Sequence, residues 1–188
     1  MDALLSALLA CLLCELGGAN QQLALALSKR FERDGLVLAG ICCAALLNAA
    51  LSAIGGAYVS ILVNADARTL LLAFSLILGG LQMLMTVKQP DRLEGWRIGP
   101  FATALFGTFI LGFGDAAQFI VFGLASRMSN PAFAAIGGAL GVIIACAPVV
   151  ILRTPLFPLA STASLRRGGG GLFTMVGAIL GLSALKIL

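Results

Sequence analysis

The sequence predicts an all-α membrane protein, with six transmembrane helices arranged as two inverted three-helix repeats. Three observations carry that prediction. Hydrophobic residues make up 60% of the 188 and charged ones only 11%, with a mean hydropathy of +1.06; an ordinary soluble domain carries roughly 25% charged residues. A chain of 19.2 kDa cannot hide that much apolar surface from water, because short chains keep a large share of their surface exposed. The few charges are spaced so that long charge-poor stretches recur, and two of these carry similar glycine-rich segments around a single acid. A soluble enzyme, a disordered chain and a nucleic-acid binder are all excluded.

A helix that spans a bilayer needs about 20 apolar residues. Residues 3–28 hold one charge, Glu15, and give a first helix at 3–27. Residues 35–65 and 69–87 hold none and give helices at 35–57 and 69–87. The stretch 98–126 holds only Asp115 and gives a fourth helix at 101–125. The last two charge-free stretches, 128–152 and 168–185, give helices at 131–152 and 170–187. Runs such as LLLAFSLIL are apolar throughout and lack the alternation of a membrane β-barrel. The segment 154–171, with Pro155, Pro158 and four successive glycines, reads as a flexible loop.

Basic residues set the orientation. The loops after helices 1, 3 and 5 hold Lys29, Arg30, Arg33, Lys88, Arg92, Arg97, Arg153, Arg166 and Arg167, whereas the opposite side holds Arg68, Arg127 and Lys186. Nine against three places the odd loops in the cytoplasm and both termini outside. The net charge of +4 is thereby a topology signal. Asp2 stands where a signal peptide carries a positive residue, so the first helix is expected to be retained. The setting expected is a bacterial cytoplasmic membrane.

Sliding the chain by 97 residues lays CELGGANQQ (14–22) over LGFGDAAQF (111–119). Gly17 then matches Gly114, Gln21 matches Gln118, and Gly40 and Gly80 match Gly137 and Gly177. Residues 1–94 form one three-helix repeat and 95–188 the other; an odd number of spans per repeat inverts the second in the bilayer. Inverted repeats place substrate sites near the midplane, where the halves meet.

Glu15 and Asp115 fall near the centres of the first and fourth helices. A charge at bilayer depth costs at least about 2.5 kcal/mol and marks a pathway for ions or protons; the alternative is a carboxyl held protonated against a neighbouring helix. Gly17 and Gly18, and Gly112 and Gly114, loosen the helix beside each acid, which frees backbone carbonyls. Asn20, Gln21 and Gln118 add neutral oxygens. Carboxylate with carbonyl and amide oxygen is a ligand set for hard divalent cations. The expected metal site is therefore Glu15, Asp115, Gln21, Gln118, Asn20, Gly17 and Gly114. The outlying Gly40, Gly80, Gly137 and Gly177 suit close helix packing. Asn48 and Gln82 read as helix-to-helix hydrogen bonds or supports for the ligands. Cys11 and Cys14, on one helix face, read as packing residues, with a thiolate site as the alternative. There is no histidine and no phosphate-cradling motif, so neither a resident cofactor nor an ATP-driven pump is expected.

ELGGANQ and GFGDAAQ resemble the motif Glu-x-Gly-Asp-(Lys/Arg)-(Thr/Ser)-Gln, which occurs twice in the GDT-type family of calcium/manganese–proton transporters, a branch of the lysine-exporter superfamily. Glu15, Gly17 and Gln21 stand at motif positions in the first copy, and Gly114, Asp115 and Gln118 in the second. Gly18 and Gly112 replace an acid in each copy, and Ala19 and Ala116 replace the base. The motif charge stays at −2, since two acids and both bases are lost together. The resemblance implies a secondary transporter that moves Mn²⁺ or Ca²⁺, exported in exchange for protons that compete for the same acids. An exporter of another small solute within the superfamily, or a transport-inactive membrane protein with buried carboxyls, are the alternatives.

Overall fold

The computed structural model describes residues 2–87, 89–155 and 159–186. Among them are eight α-helices and no strand: α1 (Asp2–Glu15), α2 (Ala19–Phe31), α3 (Asp34–Leu62), α4 (Ala65–Leu84), α5 (Pro100–Gly112), α6 (Ala116–Arg127), α7 (Pro131–Leu152) and α8 (Leu159–Ala184). By length and apolarity α3, α4 and α7 are each able to cross a bilayer, and the pairs α1–α2 and α5–α6 bring the number to five. α8 carries Arg166, Arg167 and the glycine run and is not among them.

Two of the expected helices are broken. The segment 3–27 is α1 and α2, and 101–125 is α5 and α6; each pair bends by 66°. Gly17 (φ +70°) and Gly114 (φ +80°) sit in the left-handed region at the two breaks, a conformation glycine adopts without the Cβ clash of other residues. The element starts repeat at the expected offset: Ala19 and Ala116, and Asp34 and Pro131, stand 97 residues apart.

The halves interlock. α1 packs along α7 and α5 along α3, while α4 and α8 lie against each other. Glycine makes these approaches possible. A Cβ on Gly40 would meet the Phe101 carbonyl oxygen at 2.5 Å, and one on Gly137 would strike the Leu4 carbonyl. Gly80 and Gly177 do the same for α4 and α8, so these four glycines serve close packing.

The expectation of a flexible loop over 154–171 is corrected from Leu159 onward, where the chain is helical; residues 156–158 lie outside the described residues. Each interior glycine costs a helix about 1 kcal/mol, and here packing against α4 offsets it. A Cβ at Gly170 would lie 2.7 Å from the Gly80 carbonyl oxygen, and one at Gly169 would lie 2.9 Å from Met83.

The basic loops converge on one end of the bundle. Arg30 at the end of α2 donates to the carbonyls of Leu93, Glu94 (3.1 Å) and Trp96 (2.8 Å). Arg153, capping α7, pairs with Asp34 at the start of α3 at 2.9 Å. The three odd loops thus share a side.

Candidate metal centre

The two breaks deliver the two acids. Glu15 is the last residue of α1, and Asp115 is the residue before α6. Glu15 is buried, at 1% exposure, and Asp115 is partly buried. Asn20, in the first turn of α2, donates its Nδ2 to Glu15 Oε1 at 2.9 Å and to Asp115 Oδ2 at 3.3 Å. From α4, Gln82 donates its Nε2 to Asp115 Oδ1 at 2.8 Å.

Beside this bridge lies a chamber of about 30 Å³, lined by Glu15, Asn20, Asn48, Thr108, Gly112 and Asp115 among others. That is room for one ion or for a water or two. Glu15 Oε2, Asn20 Oδ1, Asn48 Oδ1 and Thr108 Oγ1 are all buried without a hydrogen-bond partner, and all four side chains line the chamber. Buried polar atoms are nearly always paired, and these four oxygens around one small space leave capacity that a cation or a water would fill. The C-terminal ends of α1 and α5 also meet here, at Glu15 and Gly112, and helix C-termini carry partial negative charge. Among the described residues no three His, Cys, Asp or Glu side chains are placed so that they alone could hold a metal ion. An ion at this position would draw on amide and hydroxyl oxygens as well as the two acids.

Gln21 and Gln118, expected as ligands, each accept a backbone hydrogen bond on the carbonyl oxygen, and Gln118 also lines the chamber. Gln21 Oε1 accepts from the Gly17 N–H at 2.8 Å, and Gln118 Oε1 accepts from the Gly114 N–H at 2.5 Å. The two glutamines span the two breaks in the same way, each satisfying a backbone donor that the left-handed glycine frees. Gln21 also donates to the Ala145 carbonyl at 2.7 Å, tying α2 to α7. The Gly17 carbonyl accepts from Gln22 at 3.4 Å. Gly17 and Gly114 therefore shape the turns.

Asn48 stands where the sequence has lost an acid. A Cβ on Gly112 would lie 2.6 Å from Asn48 Nδ2, so its amide fills the space a side chain at 112 would take, while donating to the Phe109 carbonyl at 3.2 Å. Thr108 carries no signal of its own in the sequence beyond the 97-residue offset, which aligns it with Cys11, one helical turn before the acid position. Cys11 also lines the chamber and contacts the Ala117 carbonyl at 3.6 Å; Cys14 contacts Met83 at 3.6 Å. Arg166, expected in a loop, is buried beside α1.

On the side of the basic loops a vestibule of about 590 Å³ leads inward. Lys29, Arg30, Arg92 and Glu94 line it together with Gly17, Gln21 and Gln22 at the first break. On the opposite side α4 is packed along α6; a Cβ on Gly123 would meet Ser75 at 2.8 Å.

The family model described as divalent cation/proton antiporter GDT1 matches residues 3–91, the half that contains Glu15, Asn20, Asn48 and Gln82. Over that first half the chain is similar to the GDT1-type family. It is also similar to the protein named "Putative manganese exporter" of Vibrio cholerae serotype O1, with 27% identity over 169 residues that cover 87% of this chain and 82% of the relative. That alignment is long enough to take in part of the second half. No solved structure matches the chain. The similarity agrees with the apolar helices, which are those of a multi-pass membrane protein, and the family matched is one of divalent cation/proton antiporters.

Proposed function

We propose that the chain exports a divalent metal cation, Mn²⁺ or Ca²⁺, in exchange for protons, through the chamber between its two halves. The single observation that carries this reading is the set of four unpartnered buried oxygens around a space of about 30 Å³. Glu15, Asp115, Asn20, Asn48 and Thr108 supply the oxygens; Gln21, Gln118, Gly17 and Gly114 hold the breaks that aim them. Carboxylate, amide and hydroxyl oxygens suit Mg²⁺, Ca²⁺ and Mn²⁺. The same small volume speaks against a larger solute.

Six spans, with each bent pair counted as one and α8 as the sixth, form two inverted repeats in a bacterial cytoplasmic membrane, with termini outside. The vestibule then opens to the cytoplasm, where the cargo would load. Rocking of one half against the other exposes the chamber to the far side, and protons replace the metal on the same two carboxyls for the return. Metal uptake into proteoliposomes tests this across Mn²⁺, Ca²⁺ and Mg²⁺, with and without a pH gradient. The reading expects flux of Mn²⁺ or Ca²⁺ that a pH gradient accelerates. Flux of neither ion, or flux indifferent to the gradient, would contradict it.

A further inference from the structure

Arg166 is a buried cation that ion transport, as described so far, does not use. It projects from α8 and is 9% exposed. Its Nη1 donates to the Cys14 carbonyl oxygen at 3.1 Å, and its Nη2 reaches the Gln82 carbonyl oxygen at 3.5 Å. Both acceptors adjoin the acid pair: Cys14 precedes Glu15, and the Gln82 side chain holds Asp115. The stem runs past the first break, since a Cβ on Gly17 would lie 3.5 Å from Arg166 Cδ. A buried guanidinium is costly to take out of water unless its donors are paired. The last carbonyls of α1 and α4 are favourable partners for it, because helix C-termini attract cations.

We infer that Arg166 is a built-in counter-charge of the ion site, fixed by α8 beside the two acids so that the metal is bound loosely enough to leave. The inference rests on the reading of Glu15 and Asp115 as a cation site. Two acids and one guanidinium sum to −1, so a divalent ion enters a site that under-neutralises it. Neither motif copy carries a base, with alanine at 19 and 116; the guanidinium reaches the same neighbourhood from α8. A mere helix cap at this position would have the opposite signature. Losing a cap disorders Glu15 and weakens metal binding, whereas losing a repelling charge strengthens it and slows release.

The test is Mn²⁺ transport by the full chain in proteoliposomes, with KM and kcat measured for wild type, Arg166→Gln and Arg166→Lys. Arg166→Gln is expected to lower KM by about tenfold or more and to lower kcat by a similar factor, since like-charge repulsion on a divalent ion remains large at an effective dielectric near 20. Arg166→Lys keeps the charge and is expected within about threefold of wild type in both. A raised or unchanged KM in Arg166→Gln, or a lysine variant that behaves like the glutamine one, overturns the inference. Should Arg166→Gln fail to fold in detergent, the lysine variant decides alone: a KM displaced by more than about threefold counts against it. Glu15→Gln in the same assay separates the two levels. If it abolishes flux while Arg166→Gln does not tighten binding, only the role of Arg166 falls; if it leaves flux intact, the ion site falls with it.

Discussion

Glu15 and Asp115, one from each half of the chain, are joined by a single amide nitrogen: Asn20 Nδ2 lies 2.9 Å from the first and 3.3 Å from the second. Without that donor the two carboxyls face each other with less to hold them in register. Asn20→Leu also removes an unpartnered oxygen from the chamber. It is expected to cut Mn²⁺ flux by at least about tenfold, since misplacing a ligand by an ångström is enough for losses of that order. Flux normalised to the amount of folded protein in the liposomes checks it.

Thr108 separates stability from function. Its buried hydroxyl has no partner, and an unsatisfied buried polar group costs about 1–3 kcal/mol. Thr108→Val keeps the shape and removes that cost, so the metal-free protein should melt at a higher temperature. The same change removes an oxygen from the chamber and should raise the KM for Mn²⁺ severalfold. Thermal unfolding in detergent and transport kinetics on one preparation give both numbers; a variant that is both less stable and unchanged in KM would speak against the assignment.

Gly112 shows why restoring the family acid at that position is not a simple repair. Asn48 Nδ2 already occupies the space, 2.6 Å from where a Cβ would stand. Gly112→Glu alone should therefore destabilise the protein, by about 1–3 kcal/mol as for other overpacked sites, and lower flux. Adding Asn48→Ala should recover stability, because it vacates the collision. Equal melting temperatures for the single and double variants would show that the two side chains do not compete.

Much of this arrangement is legible in the sequence, and the limits of legibility are physical. The loosening beside each acid is legible through Gly17, Gly18 and Gly114, because few other residues adopt the left-handed backbone so readily, but the full breaks are not, since the apolar run continues through them. The paired glutamines are equally visible, but their use is not. Spacing puts Gln21 four residues after Gly17, which fits a ligand as well as the observed bond to the Gly17 N–H. Asn48 and Thr108 are single polar residues in apolar helices, and only the crossing of α3 beside α5 makes them neighbours of Glu15. Arg166 was hidden by the glycine run that follows it. Such a run signals a loop by propensity, and packing against α4 overrides the propensity.

The proposed sidedness rests on the basic loops, which the Arg30 and Arg153 contacts gather on one end of the bundle. With that end in the cytoplasm, a cysteine introduced at Pro90 should resist an impermeant thiol reagent added to intact cells and react once the membrane is opened. Labelling from outside would reverse the orientation and with it the direction of loading through the vestibule.

The most direct measurement is the number of Mn²⁺ ions bound per purified chain, by equilibrium dialysis, in wild type, Glu15→Gln and Asp115→Asn. With the guanidinium of Arg166 beside them, the two acids leave the site one negative charge in excess, and neutralising either acid leaves none. In a site of low effective dielectric the loss is worth several kcal/mol for a divalent ion. The expected result is one ion per wild-type chain and no measurable binding to either variant. One ion retained by both variants would contradict the claim that the chamber between Glu15 and Asp115 is where the metal sits.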